Sequence, residues 1–313
     1  MTVRIVTDST ADIPPELARE LDITVVPVYV NMNGHSYRDN IDITPDELYK
    51  TMMESDAPIT TSQPSPGDFA QTYQSVLKEA DDIVSIQCAT RLSGIFQSAL
   101  HGREIAGGKG HIEVIDTGMT STGLGIIAIT AARLAKTGAT LSNVLDETHK
   151  TMAQTHIWGV FDTLKYAFRG GRLSKITSLL GNMLNVKAML TMKEGHLRPT
   201  GIVRTRAKGV EKFLDNVRKF SNIHDFGIAH SLAQEEAQKL KAKLSALVDK
   251  NRIYISQLGP GFGVHGGPGV LILGMSASDT PKNAAEMAQE KNRRHMPHFP
   301  YFHSPKLNIA PAL

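Results

Sequence analysis

The stretch CATRLSGIFQSA, Cys88 to Ala99, closes an apolar run and opens a helical pattern, with the hydroxyl of Ser93 beside Gly94 at the junction. Three roles suit a serine there: nucleophile, donor to an anion, or helix cap. The nucleophile elbow reads G-x-S-x-G, and here Arg91 and Ile95 stand at the glycine positions. An anion donor needs neither a base nor a strained turn, and Gly94 lets a ligand come close to the backbone. Three further loops gather small hydroxyl residues after strand-like runs: Thr7 to Thr10, Thr60 to Ser65 and Asp116 to Thr122. Capping accounts for any one of them. Four together favour a site outside the carboxyl ends of the strands, where open α/β sheets bind ligands.

His265 lies in a segment, Gly259 to Gly269, that carries six glycines in eleven residues just before an apolar run. So much glycine is costly in conformational entropy, and a functional loop is expected; the plain alternative is a surface histidine in a flexible turn. The segment is not a G-x-G-x-x-G opening a helix, and no P-loop lysine follows, so nucleotide binding is not implied. Arg204, in IVRTRAK, ends a strand pattern and precedes a helix. The basic turn FRGGRLSK holds Arg169, Arg172 and Lys175. Such a turn suits a solvated helix end, an acidic protein surface or a phosphate.

These residues need a scaffold. A chain of 313 residues suits two ordinary domains or one large one, and 41% hydrophobic residues can build sizeable cores. The net charge is +3, and no Lys/Arg run interleaves with aromatics, so nucleic acid is not an expected partner. Cys88 is the single cysteine, which excludes an internal disulfide and a Cys-cluster metal site and makes a reducing compartment the default. The histidines are scattered without metal-ligand spacing, so no metal and no other cofactor is expected. No apolar run approaches the roughly 20 residues of a membrane span, so stable membrane insertion is not expected. The first residues enter a strand-like run without a signal-peptide core, and a cytoplasmic protein is expected.

Strand and helix signals alternate through the first half. VRIVT, Thr24 to Val30, DIVSIQCA and HIEVID read as strands. Asn33-Gly34 reads as a hairpin turn, and Thr44-Pro45-Asp46-Glu47 as a capping box opening a helix to about Met53. Ser65-Pro66-Gly67-Asp68 repeats that signal, and Leu124 to Leu134 is a strongly apolar helix. Such alternation predicts a parallel sheet covered on both faces. The second half differs. HIWGVFDT reads as a strand followed by a short helix to Gly170-Gly171, and Asn185 to Thr205 as an antiparallel hairpin turning at Glu194-Gly195. FGIAHS, a helix from Gln234 to Val248, RIYISQLG and VLILGM follow. The expectation is two α/β domains. Residues 1–155 form a three-layer parallel-sheet domain, 156–275 a mixed-sheet domain, and 276–313 an extended tail.

Taken in order, VTDSTADIP, TSQPSPGDF, LSGIFQSA, VIDT, FDTLKYAFRGGRLSK and VHGGPG resemble the DegV family, over residues 3 to about 275. The resemblance implies a long-chain fatty acid bound between two α/β domains. It also implies, as partner, an ATP-binding kinase subunit that converts the carboxylate to an acyl phosphate. It places the carboxylate on Thr61, Ser93 and Gly94 with His265 nearby, and assigns Arg204 and Arg172 to presentation and docking. Gly266 stands where the family loop carries Thr or Val. Apolar residues near the loops are candidate walls for the acyl chain: Ile95, Phe96, Phe161, Leu164 and Phe168, with Leu124, Ile127, Leu180 and Met183 as further candidates; ordinary core is the alternative for each. Two rival functions remain at this stage: an esterase or thioesterase using Ser93 and His265, and a lipid-sensing regulatory module.

Overall fold

The computed structural model describes residues 1–55, 57–108, 110–173 and 186–281. Lys175, Leu180, Met183 and the tail beyond 281 lie outside the described residues.

Apolar strands and capped helices alternate from the start: β1 (Val3–Asp8), α1 (Pro15–Glu20), β2 (Ile23–Val26), β3 (Tyr29–Met32) and β4 (His35–Arg38). Next come α2 (Pro45–Glu54), β5 (Thr60–Ser62), α3 (Pro66–Val76), β6 (Asp82–Gln87) and α4 (Ile95–Ala106). β7 (His111–Asp116), α5 (Ser121–Lys136) and α6 (Leu141–Gln154) complete this half. Both α2 and α3 start with a full capping box and Pro at the first turn, on Thr44 and Ser65. Each box satisfies two backbone donors that would otherwise be orphaned, which fixes where the helix begins.

β2, β1, β6 and β7 lie in that order in one sheet, all parallel. Thr24 to Val30 is not one strand. Pro27 offers no N–H to a ladder and breaks it. β2 stays in the parallel sheet, while β3 joins a small antiparallel sheet in the order β4-β3-β5. Its hairpin turns at Asn33 and Gly34, both with positive φ (52° and 77°), as a two-residue turn of this hand requires. β5 sets Thr61 opposite Val30.

β8 (Thr155–Phe161), α7 (Lys165–Arg169), β9 (Lys187–Lys193), β10 (His196–Val203) and α8 (Arg206–Val217) follow. Then come β11 (Ile223–His230), α9 (Gln234–Leu244), β12 (Ile253–Gln257), α10 (Pro260–Gly266) and β13 (Val270–Ala277). Their sheet runs β10-β9-β8-β13-β11-β12 and is mixed: β11 and β12 are parallel and every other neighbour is antiparallel. α9 stops at Leu244, short of Val248, because Leu247 N–H closes a tight turn on Leu244 O and Asp249 caps the next short turn.

α5 is apolar nearly all round, the mark of a helix enclosed on every side. It packs on β1 and β6 of the parallel sheet and on β8, β11 and β13 of the mixed one. Leu124 and Ile127 are spent in that core, not on a ligand wall.

The glycine-rich segment before β13 is a helix, α10, not a loop. Pro260 supplies a preset φ at the first turn. The glycines serve close packing: a Cβ on Gly261 would fall 2.3 Å from Val28 Cγ2, and one on Gly263 would fall 2.7 Å from the Tyr49 hydroxyl. Tertiary contact overrides the poor helix propensity of glycine here. Among the described residues no helix is long and apolar enough to cross a membrane.

Candidate functional site

A cavity of about 350 Å³ draws its walls from the hydroxyl-rich loops of the first half and from β8, β9 and β10 of the second. Each of the four hydroxyl loops reaches it, through Thr10, Thr61, Ser93 and Thr120. The loops meet because they follow strands of neighbouring register. Asp8, at the end of β1, ties two of them together: its carboxylate accepts from Thr10 N–H at 2.9 Å, from Thr10 Oγ1 and from Cys88 N–H at 2.9 Å.

Thr61 and His265, 204 residues apart, meet here with Oγ1 and Nε2 separated by 2.7 Å. β5 carries the threonine and the last turn of α10 the histidine. Burial pushes the His265 pKa down to about 4, and the charge of Arg172 adds to the shift, so the ring is neutral at pH 7. His265 Nδ1 is buried without a partner. The ring lies hard against Gly170, where a Cβ would fall 2.1 Å from Nδ1. Gly266 is equally confined, because a Cβ there would meet Phe262 at 2.8 Å.

Ser93 lines the cavity, and it is not the helix cap: the N-cap of α4 is Gly94, with no side-chain cap. The Gln63 amide lies over Gly94 and donates to Ser98 Oγ at 3.1 Å. Gln63 also lines the cavity. Cys88 lines it with a thiol that burial pushes up to about 12, a protonated and inert group.

Arg172 also lines the cavity, half-buried, with Nη1 donating to Gly170 O at 2.5 Å. Burial lowers its pKa, yet a guanidinium stays charged in a protein. Placing it solely on a docking surface is therefore corrected. Among the described residues no carboxylate lines the cavity, so Arg172 leaves it with a net positive charge. Arg204 lies away from it, exposed at the end of β10.

Of the proposed wall residues, Ile95 and Phe161 line the cavity; Phe96, Leu164 and Phe168 do not. Phe96 packs on the core of the parallel sheet, and Leu164 and Phe168 on the cluster beneath β8 and β9, because α4 and α7 turn those positions away. Leu190 on β9 and Leu197 on β10 take their place. Both sit on the recognised hairpin, but the face they present depends on a register that only the folded sheet defines.

Ser93 and His265 do not form a nucleophile–base pair. The ring bonds Thr61 through Nε2 and faces Gly170 through Nδ1, with no carboxylate to orient it. What the arrangement offers is two hydroxyls and a helix-start N–H beside an apolar space. These are donors for a small anion on a hydrophobic body.

Fold and cavity define the class: an α/β protein with a hydroxyl-lined apolar cavity between its parallel and mixed sheets. The chain belongs to the DegV family, whose profile, described as "Uncharacterised protein, DegV family", matches residues 2–278. A DegV domain-containing protein of Caldanaerobacter subterraneus subsp. tengcongensis is 36% identical over 270 residues, 85% of this chain and 95% of the relative. Among solved structures, a DegV family protein from Thermus thermophilus, reported for fatty acid binding, is 34% identical with a TM-score of 0.81, covering 88% of this chain and all of the other. A stearic acid-binding protein from Eubacterium ventriosum is 26% identical with a TM-score of 0.78, covering 88% of this chain and 98% of that one.

Proposed function

We propose that this protein binds a long-chain fatty acid. The carboxylate lies on Thr61, Ser93 and the Gly94 N–H, and the acyl chain lies along Ile95, Phe161, Leu190 and Leu197. The Thr61–His265 bond at the edge of an apolar cavity carries the reading. A neutral His265 that donates from Nε2 occupies a lone pair of Thr61 Oγ1 and leaves the threonine proton free for a carboxylate oxygen. Burying about 14 methylenes at ~0.8 kcal/mol each gives a gross gain of about 11 kcal/mol. Head-group hydrogen bonds add only about 1–3 kcal/mol each. The tail therefore sets affinity and the hydroxyls set orientation.

The neighbours reported to bind fatty acids support this reading. We place the domain boundary near residue 155, so that the ligand lies between domains 1–155 and 156–275. The protein is read as a cytoplasmic carrier that presents the carboxylate to an ATP-bearing kinase partner. There a carboxylate oxygen would attack the γ-phosphorus and ADP would leave. Exposed Arg204 is available to that partner, and Arg172 stands beside the carboxylate.

The test is titration calorimetry on delipidated protein with stearate. Thr61→Ala and Ser93→Ala should each weaken binding by about tenfold, one charge-assisted hydrogen bond, while thermal melts stay near wild type. Unchanged affinity in both variants would overturn the assignment.

A further inference from the structure

A second cavity, of about 370 Å³, lies against the first and shares Thr61, Arg172 and His265 with it. Its character is different. Three cationic side chains line it, Lys165, Arg169 and Arg172, together with the hydroxyls of Ser55, Thr60 and Thr61. Among the described residues no carboxylate lines it. Lys165 and Arg169 are exposed, so this chamber faces solvent, whereas His265 and Arg172 are half-buried at the shared wall.

The two sides suit different anions. A carboxylate carries one charge and is satisfied by hydroxyls and an N–H. A phosphoryl group carries nearly two charges and has more acceptor oxygens, and it draws on guanidinium and ammonium donors. Thr61 lies at the boundary with its Oγ1 on His265, and Arg172 borders both chambers. An acyl chain held in the first cavity therefore points its head group at the wall beyond which the cations lie.

We propose that the second cavity is a phosphoryl-binding site, and that its ligand is the phosphoryl end of a phosphorylated acyl chain reaching across the shared wall. The inference rests on the carboxylate reading of the first cavity. The full chain, freed of lipid, would be titrated with stearate, with octadecyl phosphate, and with inorganic phosphate in the presence and absence of stearate. Wild type would be compared with Lys165→Gln, Arg169→Gln and the double variant, whose exposed positions lie outside the carboxylate donors.

The double variant should lose about tenfold or more in affinity for octadecyl phosphate and change less than about twofold for stearate. Parallel losses for both ligands, or no loss for either, would overturn the proposal. Inorganic phosphate that binds stearate-loaded wild type and fails to bind the double variant would keep the phosphoryl site and overturn the acyl-linked source. Absence of stearate binding to wild type would count against the first cavity's reading, while the inorganic phosphate arm would still judge the second by itself.

Discussion

The two ring nitrogens of His265 face different surroundings. Nε2 lies 2.7 Å from Thr61 Oγ1, and Nδ1 is buried against Gly170 with no partner. A neutral imidazole carries one proton. Placed on Nδ1, it would leave a buried donor unsatisfied, a costlier arrangement than a bare acceptor. The hydrogen-bond network thus assigns the proton to Nε2, and Gly170 becomes the residue that fixes the ring. Gly170 sits at φ −78°, where alanine is not strained, so only the new Cβ matters. Gly170→Ala should displace the ring, raise the His265 pKa from about 4 toward the usual histidine range, and weaken stearate by about tenfold. NMR titration of the ring and calorimetry read the two effects; an unmoved pKa with unchanged affinity would refute the positioning role. In the wild type the depressed pKa also has a sign for stability. The unfolded chain binds the proton first, so His265 favours the fold above about pH 6.5 and loses that contribution as pH falls through about 4.

At the scale of the element, α10 is where sequence and structure part most. Six glycines in eleven residues read as a loop, since local propensity is all a sequence displays. The helix exists because Val28, Asp39, Leu48 and Tyr49 crowd its glycines, contacts made by chain more than 200 residues away. The capping boxes at Thr44 and Ser65 were legible because their signal is local, and the hydroxyl loops because they follow strands. The break at Pro27 and the inward turn of Arg172 depend on sheets and turns assembled later. The start of α10 also rests on buried acids. Asp12 Oδ1 accepts from Gly259 N–H at 2.9 Å, and Asp39 Oδ2 accepts from Ser9 Oγ at 2.7 Å. Burial pushes Asp12 up to about 8 and Asp39 up to about 7, and one oxygen of each has no partner. The folded state holds these protons more tightly than the unfolded one. The two acids therefore favour folding most below about pH 4, and that contribution is lost as pH rises through about 7 and 8. Asp39→Asn keeps an acceptor for Ser9 and removes the titration. Urea melts should show the wild type weakening between pH 6 and 9 and the variant weakening less. Equal slopes would show that Asp39 stays ionised across the range.

For the whole molecule, the decisive fact is that neither sheet holds the cavity by itself. Thr61, Ser93 and Ile95 come from the first half; Phe161, Leu190 and Leu197 come from the second; α5 is packed between the sheets. A ligand that touches both halves stabilises their association by mass action, about 2.7 kcal/mol at a hundredfold excess over Kd. Its tail supplies most of that energy, so affinity must depend on how much of the chain the cavity encloses. Across saturated acids, each added methylene should tighten binding by about fourfold, the equivalent of ~0.8 kcal/mol, until the cavity is full. Beyond that length the gain should stop, because further methylenes remain in water or are forced against the β9–β10 hairpin. Leu197→Trp places extra volume in the same space. It should move the break to a shorter acid while leaving the slope below it unchanged, since the shorter chains still leave water for the same apolar walls. Calorimetry over acids of ten to twenty carbons measures both quantities. A series with no dependence on length would place the tail outside the cavity. A Leu197→Trp series with its break unmoved would take Leu197 off the acyl path.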